Sequence, residues 1–529
     1  MTTISAPESH LTWPERIDEL ASAHPELIAL TTTALGGETL TWGELALRGR
    51  LVAGRLADFG IRPGDVVCVE LPGRAAHVVC ALGAWRLGAT VLPLRPDLPA
   101  RERRRLLALA DPGVVVVDGQ PAADREVAAD ELVNGVDARP PAAFPPVVSS
   151  PAWLIASGGS TGAPKLIASS TSTVVPAGAR AVGPALFADT GDARHPVHLV
   201  CSPLYHTQGF AMLHHTLVDG YRNVLVSRFD AERVLDLIES ERVAMAAFVP
   251  TMLIRLLRSP SIRHRDLSSL GRVIQGAGAC PEWAIREWID LVGPERFIMG
   301  YGSSEGVCSA QIRGDEWLLH PGSVGRPVGT EVLVVGEDGA RLPAGEVGEL
   351  YFRPVQGTRD VRYVGQAAPR TRPGGYVSIG DLGWLDEDGY LYIADRRTDM
   401  VVTGGANVYV SEVEAALLRH PDVEDAVVIG LRDAEWGRRV HAIVQPRPEA
   451  SRDGLADALR DHCRTHLAAY KVPRTFELVD DLGRADSGKI NRRALADLRD
   501  ASGEASAGAA SAAVSTGSMP DGLSDSAAG

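Results

Sequence analysis

The residues from Leu154 to Ile167 read LIASGGSTGAPKLI, a composition and spacing suited to holding an anion. A short apolar strand, Trp153 to Ala156, runs into Ser157, Gly158, Gly159, Ser160, Thr161 and Gly162, and the stretch closes on Pro164 and Lys165. Three glycines let the backbone take positive φ and approach a ligand closely. Successive N–H groups in such a loop form an anion-binding concavity, and the Ser and Thr hydroxyls add donors. Lys165 supplies the charge that a polyphosphate needs. An ordinary strand-to-loop turn uses the same Gly and Ser residues. Two sharper motifs compete. A Walker A loop needs Gly-Lys-Ser/Thr directly before a helix, but Ala163 and Pro164 separate Gly162 from Lys165. Gly158 to Gly162 also fits G-x-S-x-G, the nucleophile elbow of serine hydrolases, with Ser160 as nucleophile and no role for Lys165.

Other positions carry related chemistry. The apolar run Phe297 to Met299 delivers Gly300-Tyr301-Gly302-Ser303-Ser304-Glu305. Tyr301 offers an aromatic face for a base, Ser304 a hydroxyl for phosphate, and Glu305 a hard oxygen for Mg²⁺; a surface carboxylate at a strand end is the plainer reading of Glu305. Asp381 suits ribose hydroxyls, or a simple turn. Arg396 would reach ribose or phosphate, or pair with Asp395 or Asp399. Of 53 basic residues only Lys165, Lys471 and Lys489 are lysines. A chain so biased toward Arg keeps Lys where a compact, flexible ammonium cannot be replaced by a planar fork. Lys165 and Lys489 read as functional on that ground, Lys471 less so.

These groups need a large scaffold. The chain has 529 residues, 45% hydrophobic and 23% charged, which implies two or more globular domains. A net charge of -14 argues against nucleic acid as the main partner. Six cysteines without CxxC spacing suggest neither zinc nor disulfides. The first residues lack the basic and apolar regions of a signal peptide, and no run approaches a membrane span, so the cytoplasm is expected. From residue 13 to 118, and again from 198 to 300, strand and helix patterns alternate, the signature of a parallel α/β sheet. Thr41 reads as a helix cap, and 120–150 as a surface connection. His195, His198, His214 and His215 read as helix or strand surface rather than metal ligands. Short strands with turns predict a β-rich subdomain at about 320–395. A last α/β segment follows, then an Ala/Ser/Gly-rich tail, 499–529, expected to be disordered.

The separated motifs SGGSTGAPK at 157–165, YGSSE at 301–305, GDLG at 380–383, DRRTDMVVTGGANVY at 395–409 and SGKINR at 487–492 together resemble the adenylate-forming superfamily. That superfamily contains acyl-CoA synthetases, peptide-synthetase adenylation domains and luciferases. The resemblance covers roughly residues 15–495 and is closest to AMP-forming acid–CoA ligases. It implies an α/β fold with a large N-terminal domain, 1–396, and a small mobile C-terminal domain, 397–498. It implies ATP, Mg²⁺ and coenzyme A as cofactors, and a small carboxylic acid as substrate. The loop around Lys165 would handle the β- and γ-phosphates. Gly278, Ala279, Cys280, Tyr301 and Gly302 would hold the adenine, and Ser304 and Glu305 the phosphate and metal. Asp381 and Arg396 would bind ribose. Lys489 would be the mobile catalytic lysine, His206 would stand at the mouth of the acyl pocket, and Gly404 and Gly405 would approach the thiol.

Three departures stand out. The hinge position, usually Asp or Lys in the family, is Thr398. The usual Leu-Pro-Arg before the catalytic lysine reads Leu482-Gly483-Arg484, and Ser304 replaces the commoner Thr. Tyr205 to Phe210 lacks the acid that amino-acid-activating relatives use, and aryl-acid ligases usually place His-Asn where His206-Thr207 stands. Together with the small residues Gly276, Ala277 and Gly278, this points to an uncharged, bulky hydrophobic acid. A carrier-protein thiol in place of CoA, and an enzyme working mainly on the transfer half-reaction, are the alternatives within the family. Nothing in the sequence marks an oligomeric state, a homodimer being one option.

Overall fold

The computed structural model describes residues 10–34, 37–134, 144–158, 164–176, 195–355, 361–365, 368–484 and 490–501. Lys489 and the loop residues Gly159, Ser160, Thr161 and Gly162 lie outside the described residues, as does the tail beyond 501. The chain divides into two compact units, one running to Thr398 and the other from Asp399 to Gly483 and onward from Ile490.

In the first unit, five strands rich in β-branched and small apolar residues lie in parallel: Arg222–Leu225, Val197–Val200, Met245–Phe248, Arg272–Gln275 and Phe297–Gly302. Ile28–Thr32 joins them in parallel beyond Arg222–Leu225. The helices Thr207–Val218, Ala231–Ser240, Pro250–Leu257 and Glu282–Val292 alternate with these strands. Such strands are covered on both faces, so Val197–Val200 and Met245–Phe248 are buried at every position. The loops at the strands' carboxyl ends are therefore the places where an open α/β sheet presents groups to a ligand.

The sheet then changes direction. Phe297–Gly302 pairs antiparallel with Ser309–Arg313, which pairs with Ser323–Pro327, and that strand pairs with Leu391–Arg396. Asp381–Leu385 and Gly348–Pro354 follow. The strands expected as a separate β-rich subdomain thus continue one fifteen-stranded sheet. A strand edge left open by the parallel half invites pairing, and short connections suffice once the partner runs antiparallel.

A four-stranded parallel sheet and a three-stranded antiparallel sheet stand beside it. The first comprises Thr90–Pro93, Val66–Glu70, Val114–Val117 and Glu126–Ala128. The second comprises Leu154–Gly158, Pro164–Ala168 and Tyr363–Val364. Residues 120–150, read from sequence as a plain connection, include Glu126–Ala128 and the helix Ala129–Asn134. Glu126 bonds Arg103, which also holds Glu70, and that tie fixes the strand. Thr12 and Thr41 each close a capping box, with Glu15 and Glu44, at the starts of Trp13–Ala23 and Trp42–Asp58.

The second unit is built on Val423–Asp433, Gly437–Pro446 and Thr475–Leu478, with helices Val410–Leu417 and Leu455–His466. Its last described helix continues to residue 501, and Arg499 binds both carboxylate oxygens of Glu477. No helix among the described residues is long and apolar enough to cross a membrane. All six cysteines are free thiols.

Two histidines expected at a surface are buried. His198 sits on a central strand, with Nδ1 beside Thr216 and Asn223. His214 packs against Trp85 and Phe210, and its Nδ1 donates to Phe210 O of its own helix. A strand with parallel neighbours on both sides, and a helix face turned to the core, leave neither imidazole in water. His77 is also fully buried, and neither ring nitrogen has a partner beyond its own backbone among the described residues. Burial pushes the imidazole pKa values down, to about 3 for His77 and His214 and about 4 for His198. The native state keeps these rings neutral while the unfolded chain takes up protons below about pH 6.5, so stability falls as pH drops from there toward 4. Each ring contributes a slope of about 1.4 kcal/mol per pH unit. His77→Leu removes one such slope and two unpaired nitrogens. Its denaturant midpoint is expected to exceed the parent's, by more at pH 5 than at pH 7.5; an unchanged or lower midpoint at both values would refute the assignment.

Candidate active site

The Gly-rich stretch does not lead into a helix. Leu154–Gly158 turns back as the antiparallel strand Pro164–Ala168, with Ser157 opposite Lys165 and Gly158 opposite Pro164. A nucleophile elbow is a sharp turn from strand to helix, and that geometry is absent here. The serine-hydrolase alternative falls with it.

Lys165 points from this second strand to a group that the sequence places far away. Its Nζ lies 3.3 Å from Glu305 Oε1 and 3.7 Å from the centre of the Tyr363 ring. The Tyr363 hydroxyl donates to the same Oε1 at 2.9 Å. Tyr363 arrives because Tyr363–Val364 pairs with Pro164–Ala168, opposite Ile167. Burial, and then the Glu305 carboxylate, push the Tyr363 phenol well above its ordinary pKa, so it remains a donor at neutral pH. Nothing in the sequence marks this tyrosine: it is a lone aromatic between Arg362 and Val364, outside every motif.

A second group sits at the other end of the same loop. The Tyr301 hydroxyl donates to Asp381 Oδ2, and Arg396 Nε lies 3.3 Å from Asp381 Oδ1. Asp381 and Arg396 face each other across paired strands. Burial raises the Asp381 pKa, opposed first by the Arg396 charge and then by the Tyr301 hydrogen bond. Burial and the neighbouring Asp381 raise the Tyr301 pKa. The Tyr301 ring is 6.2 Å from Phe352, so one face packs on protein.

A third group is anchored by backbone. His206 caps the helix Thr207–Val218 with extended φ and ψ, and its N–H donates to Pro203 O. Thr207 Oγ1 and Ser304 Oγ are 2.7 Å apart, which ties this helix to the strand end that carries Glu305. Gly278 O accepts from Gln275 Nε2 at 2.8 Å, and Ala277 holds a left-handed φ of 66°. Ala279 is exposed, and burial pushes the Cys280 thiol up to about 12, so it stays protonated. Gly302 ends the strand Phe297–Gly302.

In the second unit, Gly404 and Gly405 form the two-residue turn between Val401–Thr403 and Ala406–Val408, with φ of 56° and 83°. Any Cβ on Gly404 would come within 2.4 Å of the Trp436 ring. Lys471, the least marked of the lysines, holds both oxygens of Glu412 at 2.7 Å.

The structure thus brings Lys165, Glu305, Tyr301, Asp381, Arg396, Ser304 and His206 together around the sheet's carboxyl ends. Among the described residues no three His, Cys, Asp or Glu side chains gather into a metal-ligand set. Glu305 is therefore a single hard oxygen donor, which fits Mg²⁺, an ion that keeps water and phosphate in most of its positions. Tyr301→Phe is expected to cost about 1–3 kcal/mol in stability at pH 7, because it strips a donor from a buried carboxylate. Chemical denaturation reads this, and parental stability would mean that the bond contributes nothing.

Comparison with known proteins agrees with this geometry. Residues 17–359 match the AMP-binding enzyme family, and residues 412–489 match the AMP-binding enzyme C-terminal domain. The chain is 30% identical over 499 residues to a 2-succinylbenzoate–CoA ligase of Bacillus licheniformis, covering 91% of this chain and 99% of that protein. It is 33% identical over 479 residues to a feruloyl-CoA synthase of an Amycolatopsis species, covering 87% and 94%. The solved O-succinylbenzoate coenzyme A synthetase of Bacillus subtilis, in complex with ATP and magnesium ion, superposes with a TM-score of 0.75 at 27% identity over 92% of this chain and 99% of that one. The chain belongs to the AMP-binding enzyme family, the superfamily of adenylate-forming enzymes, and stands among its AMP-forming acid–CoA ligases.

Proposed function

We propose that the chain is a cytoplasmic acid–CoA ligase that activates a bulky, largely apolar carboxylic acid. The acid's carboxylate oxygen attacks the α-phosphorus of ATP, a P–O bond forms, and pyrophosphate leaves. The CoA thiolate then attacks the acyl carbon of the acyl-AMP, and AMP leaves as the thioester forms. One observation carries this reading: Lys165, Glu305 and Tyr363, from three distant segments, converge beside Asp381 and Arg396.

Carboxylate and triphosphate repel each other, so the site's work is positioning and charge neutralisation. Lys165 exchanges its contact with Glu305 for the β- and γ-phosphates, beside the backbone donors of residues 157–162. Glu305 would hold Mg²⁺, which supplies charge neutralisation at the phosphates when bound. Asp381 accepts from the ribose hydroxyls, with Arg396 alongside. Gly278, Ala279, Cys280, Tyr301 and Gly302 frame the adenine, and Ser304 donates to phosphate. His206 stands at the mouth of the acyl pocket, and the tight Gly404–Gly405 turn offers bare backbone to the thiol arm.

Lys489 serves the first half-reaction only. Removing a charge-assisted contact of this kind costs about 10²–10³ in rate. Lys489→Ala is expected to slow acyl-AMP formation by at least that factor, read as pyrophosphate release over a panel of aryl, alicyclic and medium-chain acids. Thioester formation from synthetic acyl-AMP and CoA stays near the parental rate. Equal damage to both halves would make the lysine structural, and thioester formed only on a carrier protein would overturn the CoA reading.

A further inference from the structure

The first turn of the helix Thr207–Val218 is fixed more tightly than a loop-borne turn needs to be. Gly209 lies against the preceding backbone so closely that a Cβ there would stand 2.4 Å from both Ser202 O and Pro203 O. Phe210 is fully buried, with Trp85, Trp153 and His214 around its ring at 5.8, 5.6 and 4.3 Å between centroids. Thr207 is bonded to Ser304. Gln208 stands between these three anchors, so its backbone position is set.

The Gln208 carboxamide is nevertheless unmatched. Its Oε1 is out of contact with solvent, yet no hydrogen-bond partner reaches it among the described residues. Its Nε2 lies over Gly276, where an added Cβ would stand 3.7 Å from that nitrogen and 3.9 Å from Gly300 O. The carboxamide thus faces bare backbone at the ends of Arg272–Gln275 and Phe297–Gly302, the ledge that carries Tyr301 and Ser304. Buried amide groups ordinarily have partners, and one left without costs the protein stability. A rigid turn that holds a carboxamide oxygen sealed from water and unpaired, beside the bare backbone of Gly276, fits a group that a ligand completes.

Resting on the acid–CoA ligase reading above, we propose that Gln208 is a specificity residue that hydrogen-bonds a hydroxyl on the body of the acid, so that the substrate class is hydroxylated rather than purely hydrocarbon acids. A hydroxyl both donates and accepts, and so can answer either end of the carboxamide. An acid of the same shape without it leaves the amide unpaired, the situation in which polar sites discriminate most strongly.

The test uses matched acylsulfamoyl-adenosines, stable mimics of the acyl-AMP: benzoyl against 4-hydroxybenzoyl, cinnamoyl against 4-hydroxycinnamoyl, and octanoyl against 8-hydroxyoctanoyl. Titration calorimetry with the full chain is expected to show, in at least one pair, a preference of about tenfold or more for the hydroxylated member. Gln208→Leu, with thermal melts confirming that it folds, is expected to abolish or invert that preference. Gln208→Asn, which withdraws the same amide by one methylene, is expected to weaken it without inversion. Equal affinity in all three pairs for the parent, or a preference that survives Gln208→Leu, overturns the proposal. Failure of every adenosine compound to bind overturns the adenylation reading itself.

Discussion

A carboxylate drawn out of water is costly unless donors meet it, and Glu305, only 9% exposed, is met by an ammonium and a phenol on one oxygen. That convergence constrains the architecture around it. Lys165 can reach Glu305 only if the Gly-rich stretch doubles back into a strand instead of continuing into a helix. Tyr363 can reach only if a segment two hundred residues later in the chain adds itself to that strand. Glu305 must in turn stand at the carboxyl end of Phe297–Gly302, the last parallel strand before the sheet reverses. Two sheets are thereby referred to one oxygen atom.

The same economy appears at Asp381. Its strand is antiparallel to the one bearing Arg396, so the pair forms across the ladder, while Tyr301 comes from the parallel half. The continuity of the fifteen-stranded sheet therefore has a chemical consequence: it sets the phenol of one half against the carboxylate of the other. Two independent sheets could pack in several relative positions, whereas hydrogen-bonded neighbours fix strand spacing to a few tenths of an ångström.

Much of this was legible in the sequence, and the limits have physical causes. Lys165, Glu305 and Asp381 were readable because each follows a short apolar strand with small residues around it, a pattern that both local propensity and the family resemblance report. Tyr363 was not, because its place is decided by a pairing between residues far apart in the chain, and its own neighbours carry no signal. The sheet's continuity was hidden for the same reason: a run of short antiparallel strands has one pattern whether it closes on itself or extends a neighbour. His198 and His214 misled because a polar residue type argues for water until a partner is found. For His198 the partners are Asn223 and Thr216, which only the fold brings near.

The contacts also separate the groups that can change partners from those that cannot. The Arg396 side chain is 63% exposed where it lies against Asp381, so exchanging that contact for a ligand costs little. Tyr301 is partly buried, and its hydroxyl, bonded to the buried Asp381, has no comparable freedom. Under the proposed function, binding of a nucleotide is an exchange at the rim around a fixed Tyr301–Asp381 base. In that reading Lys165 also changes partner, and Tyr363 still donates to Glu305 when the ammonium turns toward a phosphate. The proposed acyl end differs, because there the fixed group, Gln208, has an unpaired carboxamide oxygen. Under the proposed function, nucleotide recognition draws on side chains that satisfy one another before the ligand arrives, whereas recognition of the acid draws on a carboxamide oxygen that the protein leaves unpaired.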